Sequence, residues 1–182
     1  MKFIETAIPG VQRIDIEPHA DERGFFGRIY CQDEFEAHGI RGTLCQGSVS
    51  FNPRQGTLRG MHYQAEPHPE SKLVRCTSGR IFDVVVDLRA DSATFRRWIA
   101  EELSAENHRS LFIPPGCAHG FLTLTDNAEV VYLMTDRHQP AASRGVRWND
   151  PAFGIEWPAS PAIISDRDAR YPDFVLPREP AR

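Results

Sequence analysis

The sequence predicts an all-β fold, a closed antiparallel barrel with short peripheral helices, in one domain over 1–182. Three observations point there. Strand-like runs recur at intervals of roughly 8–12 residues with Gly, Asn and Asp between them, the spacing of a sandwich or barrel. The 14 prolines and 13 glycines are spread along the chain, so they punctuate many short segments and mark no linker. Helical pattern is confined to one short piece, Asp33 to His38, stopped by Gly39.

In chain order, Val11 to Ile16 alternates apolar and polar residues. Lys72 to Cys76 comes next as a strand, with a turn at Ser78-Gly79. Ile81 to Leu88 alternates only in part and is largely apolar. Phe95 to Leu103, Leu111 to Pro114, Gly120 to Leu124 and Ala128 to Thr135 complete the strand series. This places the barrel core at about 40–145. The remainder, about 146–182, is rich in Pro and Asp from Trp148 onward, and is expected to wrap on the barrel as loop with one short helix.

Bulk properties narrow the function classes. A net charge of -4 gives no basic face for nucleic acid. No apolar run reaches the roughly 18 residues a membrane helix needs. The opening residues, MKFIETAIPGVQRIDIEPH, lack a signal peptide's apolar core, so a cytoplasmic protein is expected. The cysteines (Cys31, Cys45, Cys76 and Cys117) form no CxxC pair and are expected to be reduced.

Four ionisable residues fall in or beside strand-like runs where apolar ones would be ordinary. They are His62 in LRGMHYQ, Lys72 in ESKLVRC, Asp83 in RIFDVVVDL and His119 in IPPGCAHGF. Each alone has a plain structural explanation: a satisfied core histidine, a lysine reaching water, an acid paired with Lys72, a turn cap. Together they suggest a small barrel with an inward ligand site, since inward charges are costly unless paired or used. Metal is poorly served. A barrel metal site built on an HxH pair would need a second histidine where Gln64 stands, and two histidines in separate segments fall short of the usual three ligands. Proton transfer fits better, with His62 as base. Tyr132 in EVVYLMT is the natural opposing acid, and Lys72 a group to stabilise an enolate oxygen. Asp168 in ISDRDARYPDF could orient His62. Arg23 and Arg59, each before a glycine, suit phosphate capture.

The segments ETAIPGV, DERGFF, LRGMHYQ, KLVRCTSGRIFDVVVDLR, LSAEN, IPPGCAHGF, WNDPAFGIEWP and ISDRD together resemble the dTDP-4-dehydrorhamnose 3,5-epimerase family, over about residues 3–175. The resemblance implies a cupin-type jelly-roll barrel, homodimeric, without metal or cofactor. It implies inversion at C3, C5 or both of a nucleotide-linked 4-keto-6-deoxyhexose through enolates. By resemblance His62 is the base, Tyr132 the acid, Asp168 the partner of the base, and Lys72 a neighbour of the 4-keto oxygen backed by Asp83. Arg23 and Arg59 match diphosphate ligands, and Gln46, His119 and Arg167 match substrate contacts. Arg28, Ser48 and His138 stand at substrate-binding positions where the family usually carries Glu, Asn and an aromatic residue. The catalytic set is intact, and the departures gather on the nucleotide side. A metal-dependent cupin enzyme, or a mono-epimerase acting on another nucleotide sugar, is the alternative.

Overall fold

A computed structural model describes residues 1–175. Fourteen strands and two short helices follow one another as β1 (Lys2–Glu5), β2 (Gln12–Asp15), β3 (His19–Asp21), β4 (Gly24–Phe26), α1 (Gln32–Ala37), β5 (Gln46–Asn52), β6 (Thr57–Gln64), β7 (Lys72–Ser78), β8 (Arg80–Asp87), β9 (Trp98–Ser104), β10 (Ser110–Ile113), β11 (Cys117–Thr123), β12 (Ala128–Met134), β13 (Ser143–Gly145), β14 (Ile163–Ile164) and α2 (Asp166–Ala169).

Two sheets make the body. One runs β1-β2-β10-β7-β12-β5 and the other β13-β6-β11-β8-β9. From β5 to β8 each strand crosses to the opposite sheet, and the crossing resumes from β9 to β13; within that run only β8 and β9 join as a hairpin in one sheet. That is the expected all-β jelly roll. Val74, Cys76, Ile113 and Val130 from the first sheet pack against Ile81, Val85, Leu103 and Phe121 from the second, so the main core lies between the sheets. No described helix is long and apolar enough to cross a membrane.

The partial alternation of β8 has a packing cause. Ile81 and Val85 enter the inter-sheet core, whereas Val84 and Val86 join a second cluster beneath Val146, Phe153, Ile155, Trp157 and Phe174 of the C-terminal stretch. Both faces of β8 are covered, and each fully buried valine is worth about 1.5–3 kcal/mol over exposure. A third cluster forms where Phe35 of α1 meets Ile14, Leu73 and Phe112 on the outside of the first sheet.

Several boundaries differ from the sequence expectation. β1 and β2 extend the first sheet, so sheet structure begins well ahead of residue 40. β9 starts at Trp98 and not Phe95, because Arg96 is left-handed (φ 63°) and its N–H bonds to Asp87 O at 2.8 Å. β11 starts at Cys117, which places His119 inside a strand. β14 adds a parallel pairing to β6, the one departure from antiparallel order among the paired strands.

Asp87 organises the loop before β9. Its carboxylate accepts from Arg89 Nε (2.8 Å) and Nη2 (2.9 Å), Ser92 Oγ (2.6 Å) and Thr94 Oγ1 (2.7 Å). Burial works to raise the Asp87 pKa, but those hydrogen bonds outweigh it and bring the group to about 2. Because the folded pKa is depressed, the stabilisation is present above the ordinary value near 4 and is lost as pH falls towards 2. Asp87→Asn is expected to lower unfolding free energy by about 1–3 kcal/mol at neutral pH, and to flatten the acid limb of stability against pH; chemical denaturation from pH 7 down to 3 measures both.

Candidate active site

One end of the barrel opens into a cavity of about 680 Å³, lined by residues of both sheets and by the segment around α2. His62, Lys72, Tyr132, Arg59, His119, Arg167 and Asp168 all line it. Eight chain elements separate the first of these, on β6, from the last, on α2, and the fold gathers them.

β6 supplies two cavity residues by breaking its own alternation. Arg59 and His62 are three apart, so a regular strand would send them to opposite faces. A bulge intervenes: His62 pairs with His119 while Arg59 pairs with Phe121, two residues of β6 facing one of β11 between them. The bulge depends on two glycines touching. Gly60 has φ 142°, and a Cβ there would lie 2.5 Å from Gly120 Cα. A Cβ on Gly120 would lie 2.8 Å from Arg59 O and 2.9 Å from Gly60 Cα, backbone atoms with nowhere to go. Gly120→Ala is therefore expected to destabilise by roughly 1–3 kcal/mol and to lower activity further by moving Arg59 and His62. Thermal melting, together with rates measured where the variant is fully folded, separates the two effects.

The His62 ring is backed by Asp168. Ile163 and Ile164 pair with Thr57 and Leu58, which docks α2 against the bulge, and Ser165 Oγ caps α2 by accepting from Asp168 N–H at 3.2 Å. Asp168 Oδ1 lies 2.8 Å from His62 Nε2, and Oδ2 accepts from Gly60 N–H at 3.2 Å. Burial works to raise the Asp168 pKa, but the bonds to His62, Gly60 and Arg167 outweigh it and hold the carboxyl below its ordinary range. An ionised carboxylate only accepts, so Nε2 carries the proton and Nδ1 keeps a lone pair, with no protein partner among the described residues. Arg167 lies beside the pair, its Nε 3.3 Å from Asp168 Oδ1 and its Nη2 3.2 Å from His62 Nε2.

The opposite wall is the first sheet. Tyr132 on β12 pairs with Val74, and Lys72 of β7 pairs with Met134, so Tyr132 and Lys72 are diagonal neighbours on one face. Burial pushes the Tyr132 phenol far above its ordinary value near 10; the Asp83 charge adds to this and Arg59 opposes it. The phenol is thus protonated throughout the physiological range. Lys72 Nζ sits 3.0 Å from Glu70 Oε1 and donates to His62 O at 3.3 Å.

Other expected residues lie elsewhere. Asp83 does not pair directly with Lys72; its Oδ1 is 2.7 Å from His119 Nε2, because β8 and β11 share the second sheet whereas Lys72 belongs to the first. Arg23 sits on the β3–β4 hairpin, exposed and bonded to Asp21 (Nε 3.1 Å from Oδ1), away from the cavity mouth. Arg28 is exposed and 2.7 Å from Glu34. Gln46 accepts from the His138 N–H at 3.0 Å, and Ser48 lies opposite Tyr132 on β5; of that strand, Ser50 reaches the cavity. Sequence reasoning also passed over Glu70 and Asn52. Asn52 is fully buried and its Oδ1 accepts from Arg59 Nε at 2.8 Å, fixing the guanidinium. Glu70, two residues before Lys72, shares its face by simple alternation and was open to that reading. No group of three or more His, Cys, Asp or Glu converges as metal donors among the described residues.

A carboxylate-backed imidazole on one wall and a protonated phenol with a lysine on the other define an acid–base enzyme able to address both faces of a ring held between them. A family model for dTDP-4-dehydrorhamnose 3,5-epimerase matches residues 5–175. The chain is 44% identical over 176 residues to the dTDP-4-dehydrorhamnose 3,5-epimerase of Shigella flexneri, covering 96% of this chain and 97% of that one. Among solved structures it is similar to the Bacillus anthracis dTDP-4-dehydrorhamnose 3,5-epimerase with TDP and PPi bound (TM-score 0.91, 40% identity, 95% of this chain and 99% of that one). It is also similar to the Legionella pneumophila dTDP-6-deoxy-D-glucose-3,5-epimerase in complex with dTDP-4-keto-L-rhamnose (TM-score 0.87, 36% identity, 92% of this chain and 89% of that one). The chain belongs to the dTDP-4-dehydrorhamnose 3,5-epimerase family. It is an isomerase on a cupin-type jelly roll.

Proposed function

We propose that the protein inverts C3 and C5 of dTDP-4-dehydro-6-deoxyglucose to give dTDP-4-dehydrorhamnose. The observation that carries this is the placement of the His62–Asp168 pair and Tyr132 on opposite walls of one cavity. His62 Nδ1 takes the proton beside the ketone. The enolate oxygen is stabilised by Lys72, and Tyr132 delivers a proton to the other face. Arg59, fixed by Asn52, and Arg167 supply positive charge for the diphosphate.

The chain is proposed to work as a homodimer. The β3–β4 hairpin belongs to neither sheet and leaves Phe25 (49%) and Phe26 (77%) exposed, while Val49 and Phe51 on edge strand β5 are also exposed. An isolated hairpin is marginal in water, and clustered exposed apolar residues mark an interaction face. Such a face would also carry Arg23 and Arg28 towards a second copy. The cysteines are all unpaired among the described residues, and burial pushes Cys76 to about 11 and Cys117 to about 12, which suits inert thiols in the cytoplasm.

The test is proton NMR of dTDP-4-dehydro-6-deoxyglucose with the protein in deuterium oxide. Loss of the C3 and C5 proton signals with appearance of the rhamno product is expected. Exchange at a single carbon would make the protein a mono-epimerase, and no exchange at either would sink the reading.

A further inference from the structure

We propose that the buried His119–Asp83 pair is a proton store that recharges Tyr132 between two successive inversions; this rests on the acid–base reading above. The need follows from proton accounting. One inversion leaves His62 with an added proton and Tyr132 without one. A second carbon of the same bound sugar cannot be inverted until a proton leaves His62 and another reaches Tyr132. The sugar ring between the walls separates those two groups.

His119 touches both sides of that gap. It is the cross-strand partner of His62, a pairing that sets Cβ atoms about 4.5–5.5 Å apart. Its ring meets Tyr132 edge to face with centroids 6.0 Å apart. Nε2 is engaged by Asp83 at 2.7 Å, and Nδ1 has no protein hydrogen bond among the described residues and is not sealed from the cavity.

Asp83 makes the pair hold a proton. Its side chain is fully buried, and Oδ2 has no hydrogen-bond partner among the described residues. A buried carboxylate with one oxygen unmet is costly as a bare anion. The Lys72 charge favours the ionised carboxylate, but Lys72 is itself paired with Glu70 and burial outweighs it. The other near neighbours, Tyr132 and Cys76, are neutral, both held protonated by burial. The pair is therefore most stable without net charge, with one proton held between Asp83 Oδ1 and His119 Nε2 and a second on Nδ1 facing the cavity.

The step balances. The His119 Nδ1–H bond breaks as an O–H bond forms on the Tyr132 phenolate, leaving neutral imidazole and the Asp83 carboxylate. The imidazolium of His62 then passes its Nδ1 proton to His119, through cavity water where needed. The net result is one proton moved from His62 to Tyr132 with no other reactant. Asp83 acts here as a positioning residue, through His119.

The test is rapid-quench kinetics in deuterium oxide with dTDP-4-dehydro-6-deoxyglucose on the wild type, Asp83→Asn and His119→Asn. The wild type is expected to release doubly inverted product. The variants are expected to show a burst of about one single inversion per active site, then turnover about 100-fold slower, with mono-epimer released. Imidazole added to His119→Ala is expected to restore double inversion, and this rescue decides the matter for any variant whose fold is loosened. Burst and steady state falling together, an unchanged product ratio, or no rescue by imidazole would overturn the proposal. A wild type without exchange would instead remove the epimerase reading beneath it.

Discussion

Replacing His62 with alanine is expected to lower kcat/KM by about 10⁴-fold and to abolish deuterium exchange at both carbons, a loss of about 5 kcal/mol in transition-state stabilisation. The size follows from what the imidazole does. It is the cavity base whose second nitrogen is tied to a buried carboxylate, so its tautomer and direction are fixed before substrate arrives. The same change leaves Asp168 with Gly60 N–H and Arg167 as its remaining partners, which is expected to cost about 1–3 kcal/mol of stability. Asp168→Asn tests the support separately. Its shape is conserved but the amide no longer dictates which imidazole nitrogen holds the proton, and a loss of about 100-fold is expected. The Asp168 carboxyl is held below its ordinary range, so its contribution to stability is full above about pH 4 and fades as pH falls through the lowered value. Exchange rates by NMR and denaturation of each variant measure the two effects. Retention of exchange in His62→Ala would end its assignment as base.

The motif residues of this site were legible because they interrupt apolar runs. Asp83 and Tyr132 stand out against valine-rich neighbours, and the series LRGMHYQ to IPPGCAHGF carries Arg59, His62, Lys72 and His119 of the cavity wall. Register was not legible. Asp83 lies opposite Phe121 and His119 opposite Val85, a diagonal neighbourhood that exists only once β8 and β11 are aligned. Alternation counted along one strand cannot supply that, and the sequence reading gave Asp83 to Lys72 instead. The β6 bulge was hidden for a related reason. Period-2 reasoning separates Arg59 from His62, and only the Gly60–Gly120 contact reveals the extra residue that rejoins them. Strands β1 and β5 were not read as strands at all, and the short strands β3, β4, β13 and β14 escaped notice because two or three residues carry no periodic signal, although β14 is what brings Asp168 to His62. Arg23, Arg28, Gln46, Ser48 and His138 matched by position in the chain, yet none lines the cavity of its own chain.

Replacing Tyr132 with phenylalanine is expected to divide the reaction in two. The ring packs against the inter-sheet core, and its hydroxyl has no protein hydrogen bond among the described residues. Phenylalanine keeps the packing and strands no buried partner, so folded stability is expected to stay within about 1 kcal/mol of the wild type. The chemistry changes much more. His62 still removes and returns its proton on one face, so deuterium exchange at the first carbon is expected to persist within about tenfold. Delivery to the other face loses its donor, and inversion is expected to fall about 10³-fold. Two readouts from one NMR sample, proton loss from substrate and accumulation of product, report the two halves independently. A parallel fall in both would mean that Tyr132 shapes the cavity and does not supply the proton. Unimpaired inversion would pass the role of acid to a neighbour, and His119, already in edge contact with the ring, is the group at hand. The phenol's burial makes the first outcome the expected one: far above its ordinary pKa, Tyr132 keeps its proton until an enolate stands close enough to take it, and a phenyl ring has none to give.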